Sequence, residues 1–483
     1  MPYLMWLFII PIIAALSVFL LKPLSGRPLK IIAVLLSLIP LGMLIAKHDT
    51  LLGASVEYPW FPALNINFNL KIDGISLIFL YLSAIIIPIS LLATRSKFLI
   101  HPHTFYGLVL FLEAFLIGFF TARDLAVFTV FWEAMLIPLY FIISIWGGPK
   151  RFSAALKFLI YMIAGSALMV AAVLGLYFLA GTFNMDALRP IANNAKYAEI
   201  LFAVFMLAFA VKTPLFPFHA WLPDTYASAS TSGTILLSAI LSKAGIYGVL
   251  RIGMELFPRT LHEWSPLLLG LAIAGVLYAA FAAWMQKDYK RLIAYSSLSH
   301  VNFVLAGLFI MSQTAYEGAV LQAFNHGITI AALFLVAGWL ENRLGTTSMD
   351  ESSGVAKYFP QLCWLTLFFV VSSVAVPGTN NFVGEVLIFL GLFLQNGWLA
   401  FILGLSIIFS VVYMLRWMQK VYFGHPSQAK NNWKDIHWKE LAIAAPLAAL
   451  TLWIGFYPQP ILNKIEPAVE NIVTTSTTPS RQR

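Results

Sequence analysis

Val211-Lys212-Thr213-Pro214-Leu215-Phe216-Pro217-Phe218-His219 sets one lysine and two prolines inside an apolar run, 197–222. A run of that length spans a bilayer as a helix. Each proline lacks an amide hydrogen and frees the carbonyl one turn back. Such a break survives in lipid only where protein or water satisfies the exposed backbone. An ammonium at that depth costs roughly 3 kcal/mol on insertion scales. A helix interrupted beside a buried charge is therefore a candidate ion site.

The whole chain shares this character. Of its 483 residues 60% are hydrophobic and 11% charged, with a mean hydropathy of +0.84. A soluble protein carries about 25% charged residues, so the composition defines an all-α polytopic membrane protein. Apolar runs of roughly 20 residues predict about fourteen spans, near 2–22, 29–46, 74–94, 104–121, 125–146, 154–180, 197–222, 230–256, 265–284, 290–312, 315–340, 360–391, 396–423 and 441–460. The twelfth is too long for one crossing and contains Val376-Pro377-Gly378-Thr379-Asn380-Asn381. Helices 7 and 12, the broken ones, are separated by an odd number of crossings and run in opposite directions. That pattern predicts an inverted repeat of two five-helix bundles with ion sites at the breaks. The expected segments are 1–103 (helices 1–3), 104–256 and 265–423 (the two repeats), and 441–483 (last helix and polar tail). Thr474–Arg483 is expected to fray, with no further long helix after the last span. Met1–Leu21 has no basic leader and is expected to stay as the first helix.

The net charge of +9 comes from dispersed residues rather than a basic patch, which argues against nucleic-acid binding. The odd-numbered connections hold about eighteen Lys and Arg, and the even ones plus the termini about ten, which predicts both termini on the outer, periplasmic side of a bacterial inner membrane. The one cysteine, Cys363, excludes a disulfide or a Cys-ligated cluster within the chain. No His, Cys or carboxylate group has metal-ligand spacing, so no metal is expected.

Six titratable groups fall at mid-span: Glu133, Lys212, Lys243, His300, His326 and Glu385. Glu133, in Phe131-Trp132-Glu133-Ala134-Met135, and Lys212 form a buried ion pair if their helices touch. A static pair would pin two helices, but pinning needs no proline break. A desolvated lysine titrates near neutral pH and a neighbouring carboxylate holds it protonated. Making and breaking the pair would load and release a proton. Lys243 is too central to snorkel and suits a relay base. His300 and His326 share that depth and change protonation near neutral pH. A lone buried histidine is more often a satisfied core residue, and here the shared depth favours transfer. Glu385, beyond the second break, is the natural terminal donor. Glu113 is balanced between function and structure. Asp73, Asp124, Asp224 and Asp288 sit at helix ends as caps or interfacial groups. His219 and Asp224 flank the exit from the first break and could line a water entry. Tyr295, Ser296, Ser297 and Ser299 could hold water near His300.

The stretches from Phe131-Trp132-Glu133 to Trp146-Gly147, from Lys212-Thr213-Pro214 to His219-Ala220-Trp221-Leu222-Pro223-Asp224, and Leu241-Ser242-Lys243 resemble the antiporter-like subunits of respiratory complex I. The likeness covers the whole chain. Pro377 to Glu385 and the ending Gly455 to Leu462 are similar to the branch with glutamate at 385, where the sister subunits L and N have lysine. The resemblance implies fourteen helices, a Glu133–Lys212 coupling pair, Lys243 as relay, His300 and His326 on a central axis and Glu385 as terminal group. It also implies neighbouring antiporter-like subunits L and N. No cofactor is expected in this chain; NADH, FMN, iron–sulfur clusters and quinone would belong to partner subunits. The N-terminal region is somewhat short before Asp73. The alternatives are a Mrp-type cation/proton antiporter subunit, against which Glu385 argues, and a structural spacer of the membrane arm.

Overall fold

A computed structural model describes residues 2–21, 24, 26–95, 99–194, 196–424 and 433–477, the last four of these by backbone alone. Lys22, Lys97, Lys430 and the end of the polar tail lie outside the described residues. In chain order come α1 (Tyr3–Leu20), α2 (Gly26–Ala46), α3 (His48–Leu51), the strands β1 (Ser55–Phe61) and β2 (Ile66–Lys71), α4 (Gly74–Ala93), α5 (Pro102–Thr121), α6 (Leu125–Ala134), α7 (Leu136–Trp146), α8 (Arg151–Ala180), α9 (Met185–Ala192) and α10 (Ala198–Lys212). They are followed by α11 (Leu222–Ser228), α12 (Thr231–Leu236), α13 (Ser242–Gly248), α14 (Pro258–Trp284), α15 (Tyr289–Phe309), α16 (Gln313–Leu344), α17 (Pro360–Ser373), α18 (Asn380–Gln395), α19 (Gly397–Val421), α20 (Trp438–Phe456) and α21 (Gln459–Thr477).

Among the described residues, twelve helices are long and apolar enough to cross a membrane. They coincide with twelve of the expected spans. The other two, 197–222 and 360–391, are the ones expected to be broken: α10 ends at Lys212, and α17 and α18 are separate shorter helices. Two features depart from expectation. The connection before Asp73 folds into an antiparallel hairpin, with Ser55 opposite Lys71 and a register irregularity between Pro59 and Phe61. And a nineteen-residue helix, α21, follows the last span. Its mix of apolar and polar residues hides it from a search for apolar runs.

The chain forms two compact units. One comprises Met1–Thr213, Leu241–Pro266 and Asn463–Arg483; the other comprises Pro214–Ile240 and Leu267–Leu462. In the first, α1 packs on α2 and α5, α2 on α4, and α8 on α7 and α10. Asp73 and Asp124 cap α4 and α6, accepting from Ser76 N at 2.9 Å and from Ala126 N at 2.9 Å. These caps satisfy amides that a helix cannot pair by itself. α21 lies so close to the start of α4 that a Cβ on Gly74 would overlap the Lys464 carbonyl oxygen.

In the second unit α16 packs against α15, α17, α18 and α20. Its apolar window is buried throughout. Asp288 caps α15 through Arg291 N at 2.8 Å. Asp224 pairs with Arg291 at 2.8 Å. The first is the helix cap expected of a span-end aspartate.

Candidate functional site

In the first unit the fifth span is divided beside Glu133, between α6 and α7. Pro138 has no amide hydrogen for the carbonyl of Ala134, which weakens the ladder there. Lys212, the last residue of α10, is 2% exposed. Its Nζ donates to the Trp132 carbonyl at 2.9 Å and lies 3.7 Å from the Trp132 ring centroid. Glu133 is the next residue. Its charge acts on Lys212 through space, yet among the described residues the two form no ion pair within 4.0 Å, and buried Glu133 Oε1 has no hydrogen-bond partner. The expected contact is thus open in this conformation, with the backbone oxygen of the preceding residue taking the ammonium.

Lys243 is fully buried and donates to Ser242 Oγ at 3.2 Å. It sits on α13, between π-helical stretches at Leu237–Leu241 and Val249–Met254. Such wider turns are frequent at functional sites. A Cβ on Gly245 would overlap the Thr213 hydroxyl. The absence of a side chain there lets the Lys243 helix press against the end of α10 that carries Lys212.

The second unit gathers His300, His326 and Glu385. His300 Nδ1 lies 3.2 Å from Glu385 Oε1. Gln322 Nε2 donates to the same oxygen at 3.2 Å. The His300 and His326 rings are 5.5 Å apart, centroid to centroid. All three titratable groups are less than a tenth exposed. The chain connecting α17 and α18 turns through left-handed backbone at Ala375 and Gly378. Its polar groups are met by neighbours: Asn325 Nδ2 donates to the Asn380 carbonyl at 2.7 Å, Asn380 Nδ2 returns a bond to the Asn325 carbonyl at 3.1 Å, and Asn381 Nδ2 donates to the Ser372 carbonyl at 3.0 Å. At the first break, Asn302 accepts from Phe216 N at 3.3 Å and donates to the Pro214 carbonyl at 3.3 Å. An asparagine provides a donor and an acceptor on one amide, which suits it to interrupted backbone.

His219 packs beside Tyr278, ring centroids 4.8 Å apart. Two of the serines expected to hold water near His300 are engaged with protein: Ser299 donates to the Val276 carbonyl at 3.0 Å and Ser296 accepts from Tyr413 at 3.0 Å. Glu113 is 1% exposed, and neither carboxyl oxygen has a partner among the described residues.

Sequence reasoning missed one polar cluster of the first unit. Arg251 bonds to Asp73 and, at 2.6 Å, to Glu255. Glu255 also accepts from Arg123 at 3.0 Å and Arg189 at 2.8 Å. Arg123 reaches Asp186 at 2.6 Å. Burial would push the Glu255 carboxyl up, but Arg123, Arg251 and Arg189 bring it down to about 2. The four-residue spacing of Lys243, Tyr247, Arg251 and Glu255 is the sequence signal that could have found it.

Residues 122–426 match the family model described as NADH:quinone oxidoreductase/Mrp antiporter, TM. The chain belongs to this family. Within it the relatives are subunit M of NADH-quinone oxidoreductase: that of Mycobacterium tuberculosis (strain CDC 1551 / Oshkosh) is 34% identical over 98% of this chain and 94% of its own length, and that of Escherichia coli (strain K12) is 37% identical over 86% and 84%. Among solved structures, a chain of respiratory complex I from Thermus thermophilus with bound NADH superposes with a TM-score of 0.90 at 30% identity, covering 99% of this chain and 100% of that one. A chain of the Mrp complex from Dietzia sp. shares the fold, with a TM-score of 0.84 at 22% identity over 98% of this chain and 55% of that one.

Proposed function

We propose that this chain is a proton-translocating membrane-arm subunit of a proton-pumping NADH:quinone oxidoreductase. NADH oxidation and quinone chemistry take place in partner subunits, and antiporter-like subunits L and N adjoin it. The likeness to subunit M relatives over most of their length supports this reading. The observation that carries it is the position of Lys212: buried, at a helix end, bonded to the Trp132 carbonyl with the Glu133 carboxyl one residue away. An ammonium with two alternative acceptors has two positions, which a transfer step requires and a static pin does not.

Quinone reduction elsewhere reaches this subunit as a shift of neighbouring charge. Glu133 then gains or loses Lys212. Lys212 passes a proton by way of Lys243 and water to the His300, His326 and Glu385 group. Moving one charge against 100 mV costs about 2.3 kcal/mol, equivalent to one or two pKa units, which a few coupled groups can supply. In this reading the chain crosses the membrane fourteen times, the twelve long helices plus the two interrupted spans, and 104–256 and 265–423 are inverted repeats in a bacterial inner membrane with both termini outside. The convergence of Asp73, Arg123, Asp186, Glu255 and α21 on one cavity of the first unit supports that topology, because these residues come from the even connections, the outer end of the eighth span and the C-terminal segment.

Lys212→Ala in the intact complex tests the proposal. NADH-driven proton transport and linked quinone reduction should fall at least tenfold. Pumping at the unaltered rate would leave the subunit a spacer.

A further inference from the structure

Lys243, Tyr247, Arg251 and Glu255 recur every four residues, which aligns them along one helix face. Hydrogen bonds along this stripe are continuous from Tyr247 onward. The Tyr247 hydroxyl donates to the Phe120 carbonyl at 2.6 Å and lies 3.1 Å from Ser76 Oγ. Arg251 donates to Ser76 Oγ at 2.9 Å and to Asp73, which precedes α4. Beyond Arg251 opens a cavity of about 570 Å³ whose wall includes Asp73, Arg123, Arg189, Arg251, Glu255 and, from α21, Lys464. A water takes about 30 Å³ of the liquid, so the cavity has room for several.

Two hydroxyls in contact can hand on a proton, and here they lie between a mid-span lysine and a polar cavity at the helix end. A pump in which water joins Lys243 to Tyr247, one helical turn away, loses its gradient unless something bars the route. We propose that Arg251 is that bar: a fixed positive charge that stops protons from crossing between the cavity and Lys243 through Ser76 and Tyr247. This rests on the reading of Lys243 as a proton relay. A guanidinium is never deprotonated in a protein, so it cannot itself relay, and it repels a proton approaching from either side; arginines exclude protons from pores in this way. Asp73 and Glu255 hold it in place, and Arg123 and Arg189 in turn fix Glu255. A mere staple would need no charges, since apolar packing serves as well as a buried ion pair.

The test is passive proton leak across vesicles bearing the assembled complex, measured after an imposed pH step without NADH. Arg251→Lys keeps the charge and should be as tight as the unaltered protein. Arg251→His should be tight near pH 5.5 and leak at least fivefold faster near pH 8, where imidazole is neutral. Adding Tyr247→Phe should remove that leak. If Arg251→His fails to assemble, Glu255→Gln and Asp73→Asn, which loosen the guanidinium, should each raise the leak, again suppressed by Tyr247→Phe. A tight membrane at pH 8, or a leak indifferent to both pH and Tyr247→Phe, overturns the proposal. Because the leak needs no turnover, it is judged separately from the Lys212→Ala pumping experiment.

Discussion

Lys212 and Trp132 are joined twice: the lysine ammonium donates to the tryptophan carbonyl at 2.9 Å and stands over its ring at 3.7 Å. Glu133, the more obvious partner, is left outside the bond. In the proposed transfer cycle, the tryptophan holds the cation in the open position of the pair.

Replacing the ring should bias that equilibrium. A desolvated cation–π contact contributes about 2 kcal/mol, a factor of about 30 between the two positions. Trp132→Leu should therefore move Lys212 toward Glu133 and slow turnover several-fold, while Trp132→Phe, which retains a ring face, should slow it less. Steady-state proton pumping and its pH profile read the difference. Equal rates in all three proteins would show that the ring has no part in placing the ammonium.

His300 and Glu385 should behave as one element, because Nδ1 and Oε1 are 3.2 Å apart. His300→Ala and Glu385→Gln, each expected to cut pumping about tenfold, should together cost far less than a hundredfold. Coupled neighbours typically show 0.5–3 kcal/mol of interaction in such cycles, about two- to a hundredfold. Strict multiplication of the two losses would separate them.

Gly245→Ala should be more damaging than its size suggests. The new methyl overlaps the Thr213 hydroxyl, and overpacking of this kind costs about 1–3 kcal/mol. Pumping should drop and the subunit should assemble less well, with partial recovery when Thr213→Ala is added. Blue-native gels and pumping assays on the single and double variants are the check; no recovery would mean that the contact with α10 is not what constrains Lys243.

Glu255 gives a pH dependence. Its folded-state carboxyl is held down at about 2, below its ordinary 4.5. A depressed acid adds stability above its unfolded value and loses it as pH falls, here progressively from about 4.5 to 2. Asp124, which burial pushes up to about 6, works in the opposite sense between about 3.8 and 6. The heat-aggregation temperature of the purified complex, followed for this subunit from pH 7 to 3.5, should decline at the acid end, and Glu255→Gln should flatten that decline. Parallel curves would assign it to other carboxylates.

The apolar spans were legible because a bilayer imposes a run length on any helix that crosses it, and the interruptions because Pro214 and Pro217 stand beside a buried lysine and Pro377 sits in a run too long for one crossing. The titratable residues stood out for the same reason: charge amid hydrocarbon is costly. What escaped notice carries no such mark. The acceptor that holds Lys212 is a backbone carbonyl, which every residue has. The hairpin of β1 and β2 is too polar, with Glu57, Asn67 and Asn69, to resemble a span. α21 alternates Lys464, Glu466 and Glu470 with apolar residues. Arg251 and Glu255 lie in the last turns of the eighth span, so they read as charges at a span end until the spacing from Lys243 is noticed.

The first unit is completed by α21, a helix far along the chain from α4: it seats its Lys464 carbonyl against Gly74, and its side chains roof the cavity beside Arg251. A ribosome releases α21 only after it has made every helix that precedes it. Nascent chains and premature-stop products alike therefore carry an uncovered ionic wall, and a membrane protease that inspects newly made subunits has there a visible sign of incompleteness.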